Sequence, residues 1–182
     1  MVIVACLGNP GSRYIKNRHN AGFIIGDYIA RKYNIPITLK TFSSLCGKGR
    51  IEDRNVLLLL PQTYMNKSGI AVQAAIQYYR EDPMNLIVIH DEIEIPFGEF
   101  GTKFGGGHKG HNGLRSIIQH IQTPDFHRIR FGVGRPADPG VSVADYLLSD
   151  FNNNELTRIE EIAPTILKEA YHIITSGEMP FQ

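Results

Sequence analysis

Short apolar runs without alternating polar residues are the feature that most limits the folds open to this chain. Residues 56–61 (VLLLLP) and 86–92 (LIVIHDE) are the clearest, and similar runs lie at 2–7 and 127–134. A strand with apolar residues on both faces has to be covered on both sides, as parallel strands in α/β proteins are. These runs therefore predict a central sheet buried between two layers.

Segments with helical periodicity separate these runs, because apolar residues recur in them at intervals of three and four. The predicted helices are 20–33, 72–79, 114–121 and 153–175. The first of them is predicted to be capped at or near Asn20. Residues 43–53 predict an antiparallel strand, which makes the sheet mixed. Without an internal repeat or linker, the chain is predicted to be one α/β domain over 1–182, with a mixed, mostly parallel central β-sheet flanked by helices.

Polar, turn-rich segments follow the predicted strands at the points where these strands end. Residues 7–23 follow the first strand and 61–69 follow the second, while 103–116 lead into a helix. The third strand ends in His-Asp-Glu. Since the carboxyl ends of parallel strands meet at one edge of a sheet, where ligands usually bind, these segments are predicted to form one pocket.

Composition excludes several classes of protein. Nineteen Lys and Arg against eighteen Asp and Glu leave a net charge of +1, so any contact with nucleic acid has to come from a local patch. Cys6 and Cys46 are too few for a disulfide framework or a structural zinc site. No apolar stretch approaches the ~20 residues that span a bilayer, and the start lacks the basic region of a signal peptide. We expect a cytoplasmic protein that does not bind membranes.

Familiar cofactor and nucleophile motifs are missing from the sequence. Cys6 stands where a dinucleotide fingerprint needs its first glycine, and neither a Walker pattern nor G-x-S-x-G is present. The candidate metal ligands are His90, Asp91, Glu92, His108 and His111. Because neither H-E-x-x-H nor C-x-x-C occurs, hydrated surface histidines are the favoured interpretation, and a metal site stays open as the alternative.

A histidine and a carboxylate among several amides form the remaining constellation. His19 can act as a general base, and Asp91, at a predicted strand end, is the best placed carboxylate to orient it. Asn9, Asn66 and Asn112 lie on three different loops of the same edge, and neutral amides suit an oxyanion or a peptide group. Each residue taken alone also fits a structural role, as a turn residue or a buried histidine. Their conjunction favours hydrolytic chemistry.

Six segments in order resemble the motifs of bacterial peptidyl-tRNA hydrolases, over nearly the whole chain. They are LGNPGSRYIKNRHNAGF, TYMNKSG, HDEIEIPFG, GGGHKGHNGLRSI, FHRIRFGVGRP and VADYLLSDF. The resemblance implies a mixed β-sheet flanked by helices that works without a metal or an organic cofactor. It also implies cleavage of the ester between a peptide and the tRNA 3′ end, which recycles tRNA from stalled translation. A monomer without an obligate protein partner is expected.

At the matching positions, the resemblance implies that His19 is the base, that Asp91 holds it, and that Asn9 distinguishes N-blocked from free aminoacyl-tRNA. Lys103 and Arg130 correspond to a pair that clamps the tRNA 5′-phosphate. The other substrate-side positions that it implies are Tyr14, Tyr64, Asn66, His111 and Asn112. The basic residues of the first loop that are expected to face phosphates are Arg13, Lys16 and Arg18.

The chain departs from the family pattern in places that leave the expected chemistry intact. The departures are Cys6 for Gly, Glu94 for Asp, Gly101 and Thr102 for a basic–apolar pair, and a short end without a basic tail. Those before Lys103 put part of the tRNA contact surface in question. Two rival functions remain open, a catalytically silent RNA-binding module and a metal-dependent hydrolase.

Overall fold

A seven-stranded mixed sheet forms the centre of the computed structural model, which describes residues 1–177. Its strands are β1 (Val2–Cys6), β2 (Leu39–Thr41), β3 (Ser44–Ile51), β4 (Arg54–Pro61), β5 (Leu86–Glu92), β6 (Phe100–Phe104) and β7 (His127–Gly132). They lie in the order β2-β3-β4-β1-β5-β7-β6. The four central strands are mutually parallel, and the three outer strands pair antiparallel with their neighbours.

Helices cover both faces of the sheet. They are α1 (Ala21–Lys32), α2 (Ser68–Tyr79), α3 (Asn112–Ile121), α4 (Val143–Leu147) and α5 (Asn153–Ser176). α1 and α5 pack with alternate residues of the strands in one apolar core, and α2 and α3 pack against the other face in a second core. The central strands β1, β4 and β5 are therefore apolar on both sides, which explains their missing polar alternation.

The predicted α/β class with a mixed sheet is confirmed. The antiparallel strand expected within 43–53 is β3, and the four predicted helices are α1, α2, α3 and α5. The short elements β2, β6 and α4 were not predicted, because three to five residues carry too little periodicity to stand out. Residues 178–182 of the predicted domain lie outside the described residues, so its extent over 1–182 stays a prediction.

Gly22 sets how closely the start of α1 approaches the sheet. A Cβ atom at this position would lie 2.5 Å from both the backbone nitrogen and the carbonyl oxygen of Leu7, and it would also collide with the carbonyl oxygen of Ile89. Only glycine lets the helix start come so near the ends of β1 and β5. The 3-10 turn just before α1, Arg18–Asn20, is thereby held beside the end of β5.

No helix in the described part of the chain is long and apolar enough to cross a membrane.

Candidate active site

His19 and Asp91 form a buried hydrogen-bonded pair where the first loop crosses the end of β5. His19 Nδ1 lies 2.9 Å from each carboxylate oxygen of Asp91, and both residues are at least nine-tenths buried. An ionised carboxylate only accepts hydrogen bonds, so Nδ1 carries the proton and Nε2 keeps its lone pair. The His19 ring lines a cavity of about 250 Å³. The pair thus presents a basic nitrogen to a space that a ligand can enter.

His111 binds the same carboxylate as His19. Its Nε2 lies 2.9 Å from Asp91 Oδ1, while its Nδ1 accepts from the backbone N–H groups of Gly113 and Leu114 at 3.1 and 3.3 Å. His111 is therefore the N-cap of α3. Since Nδ1 accepts two bonds, Nε2 must carry the proton that is donated to Asp91. With both nitrogens engaged, His111 supports the carboxylate and is not itself free to act as a base.

The ionised forms of His19 and Asp91 stabilise each other, which shifts the pKa of both groups. Burial alone would lower the pKa of His19, but the charge of Asp91 and its hydrogen bond outweigh burial and raise that pKa above its ordinary value. Burial alone would raise the pKa of Asp91, and the two imidazoles, His19 first, lower it well below the usual range instead. Asp91 is therefore ionised wherever His19 can work as a base.

The hydrogen bonding of His111 does not suit a metal ion. His19, Asp91 and His111 are the residues within 1–177 that bring metal-binding atoms together, all within 4.8 Å of one another. A metal at His111 Nε2 would move the proton to Nδ1, where it would face the N–H groups of Gly113 and Leu114. The Nδ1–H group would then point at two other N–H donors, so this cluster fits an imidazole oriented by a carboxylate better than a metal centre.

The other metal candidates of the sequence do not join that cluster. The expectation of a hydrated surface histidine is wrong for His90, which is buried and donates Nδ1–H to the Asp91 carbonyl at 2.7 Å. Burial, followed by the nearby His111, lowers the pKa of His90 to about 3. His108 Nδ1 accepts from the backbone N–H of Gly110 at 3.0 Å.

Asn9 is fixed so that one of its groups stays available. Its side-chain oxygen accepts from the Met65 N–H at 2.8 Å, and its backbone N–H and carbonyl both bind the side chain of Asn20, at 2.9 and 3.0 Å. Among the described residues, none accepts a hydrogen bond from the Asn9 Nδ2 group, so this group can donate a hydrogen bond to a ligand. Asn20 occupies the N-cap position of α1 as predicted, but its side chain makes no capping bond because it binds the backbone of Asn9.

Tyr64 has a strained backbone beside this site. Its φ and ψ of 59° and 157° fall in a region that is essentially reserved for glycine. The turn that follows, Met65–Lys67, carries the exposed Asn66 and turns the Met65 N–H toward Asn9. The exposed Tyr64 ring stands edge-on to Tyr14, with centroids 6.4 Å apart. Strain of this kind typically marks positions held for function.

Lys103 and Arg130 lie in the same cavity as the His19 ring. They sit on the neighbouring antiparallel strands β6 and β7, and Asn112 lines the cavity at the start of α3. Arg130 Nη1 is 3.9 Å from Glu92 Oε2, which is a loose ion pair. Burial and three nearby cations lower the pKa of Lys103. A cavity with concentrated positive charge near a basic nitrogen suits an anionic substrate.

The remaining predicted positions lie around rather than in this cavity. Asn9 borders a second groove, of about 490 Å³, and Tyr14, Tyr64 and Asn66 are not among the lining residues of the first. Among the basic residues of the first loop, Arg13 and Lys16 are exposed. The expectation that Arg18 faces phosphates is wrong, because its guanidinium is buried in an ion pair with Glu155.

Sequence reasoning missed a buried arginine that lines the same cavity and holds one of its loops. Arg128 is 2% exposed and donates to the carbonyl of Gly107 at 2.9 Å and to that of Gly106. It thereby holds the glycine-rich loop that leads to His111 and Asn112. The sequence did contain a signal for this role, because Arg128 is a charged residue within the predicted strand 127–134.

Comparisons with known proteins agree with the geometry. Residues 3–180 match the family model for peptidyl-tRNA hydrolase. The chain is 45% identical over 161 residues to peptidyl-tRNA hydrolase of Brevibacillus brevis, covering 88% of this chain and 85% of that protein. It is 41% identical to the Bacillus subtilis enzyme, covering 92% and 89%. The crystal structure of peptidyl-tRNA hydrolase from Acinetobacter baumannii superposes with a TM-score of 0.89 at 38% identity, covering 97% and 89%.

Proposed function

This chain belongs to the peptidyl-tRNA hydrolase family and is an ester hydrolase that acts on peptidyl-tRNA, and we propose that His19 is its general base. The observation that carries the proposal is the 2.9 Å contact between His19 Nδ1 and Asp91. It keeps the proton on Nδ1, so that Nε2 of this cavity-lining residue retains its lone pair. A neutral imidazole in a fixed tautomer next to a ligand-sized space is the arrangement that general-base catalysis requires.

The proposed reaction proceeds through a tetrahedral intermediate. His19 Nε2 takes a proton from water as the water oxygen attacks the ester carbonyl carbon, and the carbonyl oxygen becomes an oxyanion. Uncharged amide donors stabilise that charge, with the Nδ2 groups of Asn9, Asn66 and Asn112 as the candidates. The carbon–oxygen bond to the ribose then breaks, and the imidazolium returns its proton to the departing 3′ oxygen. The products are a free peptide carboxylate and tRNA with an intact 3′ hydroxyl.

Substrate recognition is proposed to be shared by two groups of residues, one in the cavity of His19 and one around Asn9. Lys103 and Arg130 are assigned to the tRNA 5′-phosphate and the acceptor end, because they share one cavity with the base. Asn9, pinned by Met65 and Asn20, is assigned to reading the blocked amino group of the substrate. Tyr14 and Tyr64 would contact the substrate with their rings. We further propose that the chain acts in the cytoplasm as a monomer, as the family resemblance implies.

One experiment separates this function from its two rivals. The full chain is incubated with N-acetylaminoacyl-tRNA and with the unblocked aminoacyl-tRNA, each with and without EDTA, and release of free tRNA is scored. The proposal predicts rapid release from the blocked substrate alone and no effect of the chelator. Binding without release would indicate a silent RNA-binding module, and loss of activity in EDTA that zinc restores would indicate a metal-dependent hydrolase.

A further inference from the structure

We infer that the buried ion pair between Arg18 and Glu155 is a positioning device that couples His19 to the segment 142–152. The segment contains α4 and the turn before α5, and Val143 and Leu147 from it line the same cavity as His19. Arg18 precedes the base in the chain, so the position of its backbone bears directly on the base. The inference rests on the proposed role of His19.

The guanidinium of Arg18 is held by groups from one continuous stretch of chain. Its Nη2 donates to both carboxylate oxygens of Glu155, at 2.8 and 2.9 Å. Its Nη1 donates to Ser149 Oγ at 3.1 Å and to the carbonyl oxygen of Asp150. Because Nη1 and Nη2 bind different groups of this stretch, the contacts fix the orientation of the planar guanidinium as well as its distance, which the single ammonium group of a lysine cannot do.

Two aromatic rings complete this binding site for the guanidinium. The central carbon of Arg18 lies 4.7 Å from the centroid of Tyr146 and 5.2 Å from that of Phe151. Arg18 is 9% exposed, so its charge is largely withdrawn from water and depends on these partners. Breaking one partner of such a pair leaves an uncompensated buried charge, which the surrounding chain has to move to accommodate.

The backbones of the two segments are also joined directly, at Lys16 and at Arg18. The Arg18 N–H donates to the Ser149 carbonyl at 3.1 Å, and the Phe151 N–H donates to the Lys16 carbonyl at 2.8 Å. Asn17 Nδ2 adds a bond of 2.6 Å to Asp150 Oδ1. The residue before the base is therefore bound through both its backbone and its side chain to the segment that forms a wall of the cavity.

This arrangement links the catalytic pair with the cavity wall. Asp91 on β5 holds the His19 ring, and the contacts of Arg18 hold the adjacent backbone. When Arg18 loses Glu155, the ring and the wall are expected to shift relative to each other. A displacement of about 1 Å at a reacting group can lower a rate by roughly 100-fold.

Glu155 has a second role that the experiment has to separate from the first. Together with Asn152 it forms the capping box of α5, in which Glu155 Oε2 accepts from the Asn152 N–H at 2.8 Å. Asn152→Ala removes the cap and leaves the Arg18 contact in place. Glu155→Gln keeps an oxygen for the cap but loses the charge and one acceptor for Arg18. Comparing these two variants isolates the contribution of the ion pair.

The test measures kcat and KM of four variants on N-acetylaminoacyl-tRNA, with thermal unfolding followed in parallel. The variants are Glu155→Gln, Arg18→Lys, Asn152→Ala and Glu161→Gln. Glu161 forms an exposed ion pair with Arg158 on the same helix and is the matched control. We expect kcat to fall by about 10- to 100-fold in the first two at nearly unchanged KM. Asn152→Ala should lower the unfolding temperature while kcat stays within about twofold, and Glu161→Gln should change neither.

Two results would overturn the coupling. One is a Glu155→Gln enzyme with wild-type kcat, and the other is an equal fall of kcat in Asn152→Ala, which would assign the effect to helix stability. If Arg18→Lys does not fold, the kcat of Glu155→Gln alone decides whether the coupling exists. This variant is expected to fold, because the Glu155 side chain is partly exposed. His19→Ala is assayed beside them. An inactive His19→Ala with an unaffected Glu155→Gln refutes only the coupling, whereas an active His19→Ala refutes the proposed function and removes the basis of the inference.

Discussion

Asp91→Asn is the substitution that probes the site most finely, because it keeps the shape of the side chain and removes its charge. In the wild-type site the two oxygens of Asp91 accept from His19, and one of them also accepts from His111. Asparagine has a single acceptor oxygen. Its NH₂ group can donate to His19 Nδ1, which would move the imidazole proton to Nε2 and block the base.

The size of the effect follows from the distance between the two residues. Opposite unit charges at about 4 Å interact by roughly 4 kcal/mol near a protein surface, and the His19–Asp91 contact of 2.9 Å is closer than that. This interaction stabilises the imidazolium that forms when His19 accepts a proton. At about 1.4 kcal/mol per tenfold change in rate, its loss corresponds to a fall in kcat of around 10³. We therefore expect a decrease within about 10²- to 10⁴-fold.

The pH dependence of the variant should change in one direction. His19 works as a base only when neutral, and the charge of Asp91 raises its pKa above the ordinary value. Wild-type activity therefore falls as the pH drops through that raised pKa. Without the charge the pKa of His19 decreases, so the acid limb of the pH–rate curve should shift to lower pH.

The assay is a pH series of kcat and kcat/KM on N-acetylaminoacyl-tRNA, with folding checked by circular dichroism. Asp53→Asn is the matched control, because Asp53 lies exposed in the turn between β3 and β4, where β4 begins, away from the site at the strand ends. It should leave both the rate and the profile unchanged. A folded Asp91→Asn enzyme with wild-type kcat and an unmoved acid limb would show that another residue orients the base.

The remaining predictions concern binding and folding. The double variant Lys103→Ala/Arg130→Ala should raise KM for full-length substrate and leave kcat nearly unchanged. It should also make tRNA binding less dependent on salt, because the slope of log K against log salt concentration falls by up to about one unit for each lost phosphate contact. Equal losses on a minimal substrate without a 5′-phosphate would refute the clamp. Gly22→Ala should lower the free energy of unfolding by about 1–3 kcal/mol or more, because its Cβ would collide with the backbone of Leu7; wild-type stability in urea would contradict that packing. Tyr64→Gly should be more stable than Tyr64→Ala by about 1 kcal/mol, measured by urea unfolding, because glycine relieves the strained backbone; a less stable glycine variant would refute the strain.

The sequence was sufficient to predict the layers of the fold and the edge at which the site lies. Continuous apolar runs predict strands buried on both faces, and the positions of polar residues at strand ends place His19 near Asp91 before any contact is known. The short strand β6, which carries Lys103, has no periodicity of its own and is formed by pairing with β7. Long-range pairing of this kind is invisible in a single sequence.

The details that the sequence could not supply depend on partners far away in the chain. Arg18 belongs to a basic loop and is typical of a nucleic-acid contact, yet Glu155 binds it 137 residues further on. Asn20 has the position of a helix cap, but its side chain binds the backbone of Asn9. His111 lines the cavity, as its motif position implies, but its bonds to α3 and Asp91 could not be read from the sequence. Local chemistry identifies such residues, and only tertiary contacts decide what they do.

The most direct test of the account is the kcat/KM of His19→Ala on N-acetylaminoacyl-tRNA, compared with wild type at a pH where the base is neutral. His19 is buried in a polar loop rather than in either apolar core, so its removal should leave folding and tRNA binding largely intact. If His19 is the general base, kcat/KM should fall by at least about 10²- to 10⁴-fold, which is what such a base contributes. A folded variant that retains activity within about threefold of wild type would contradict it.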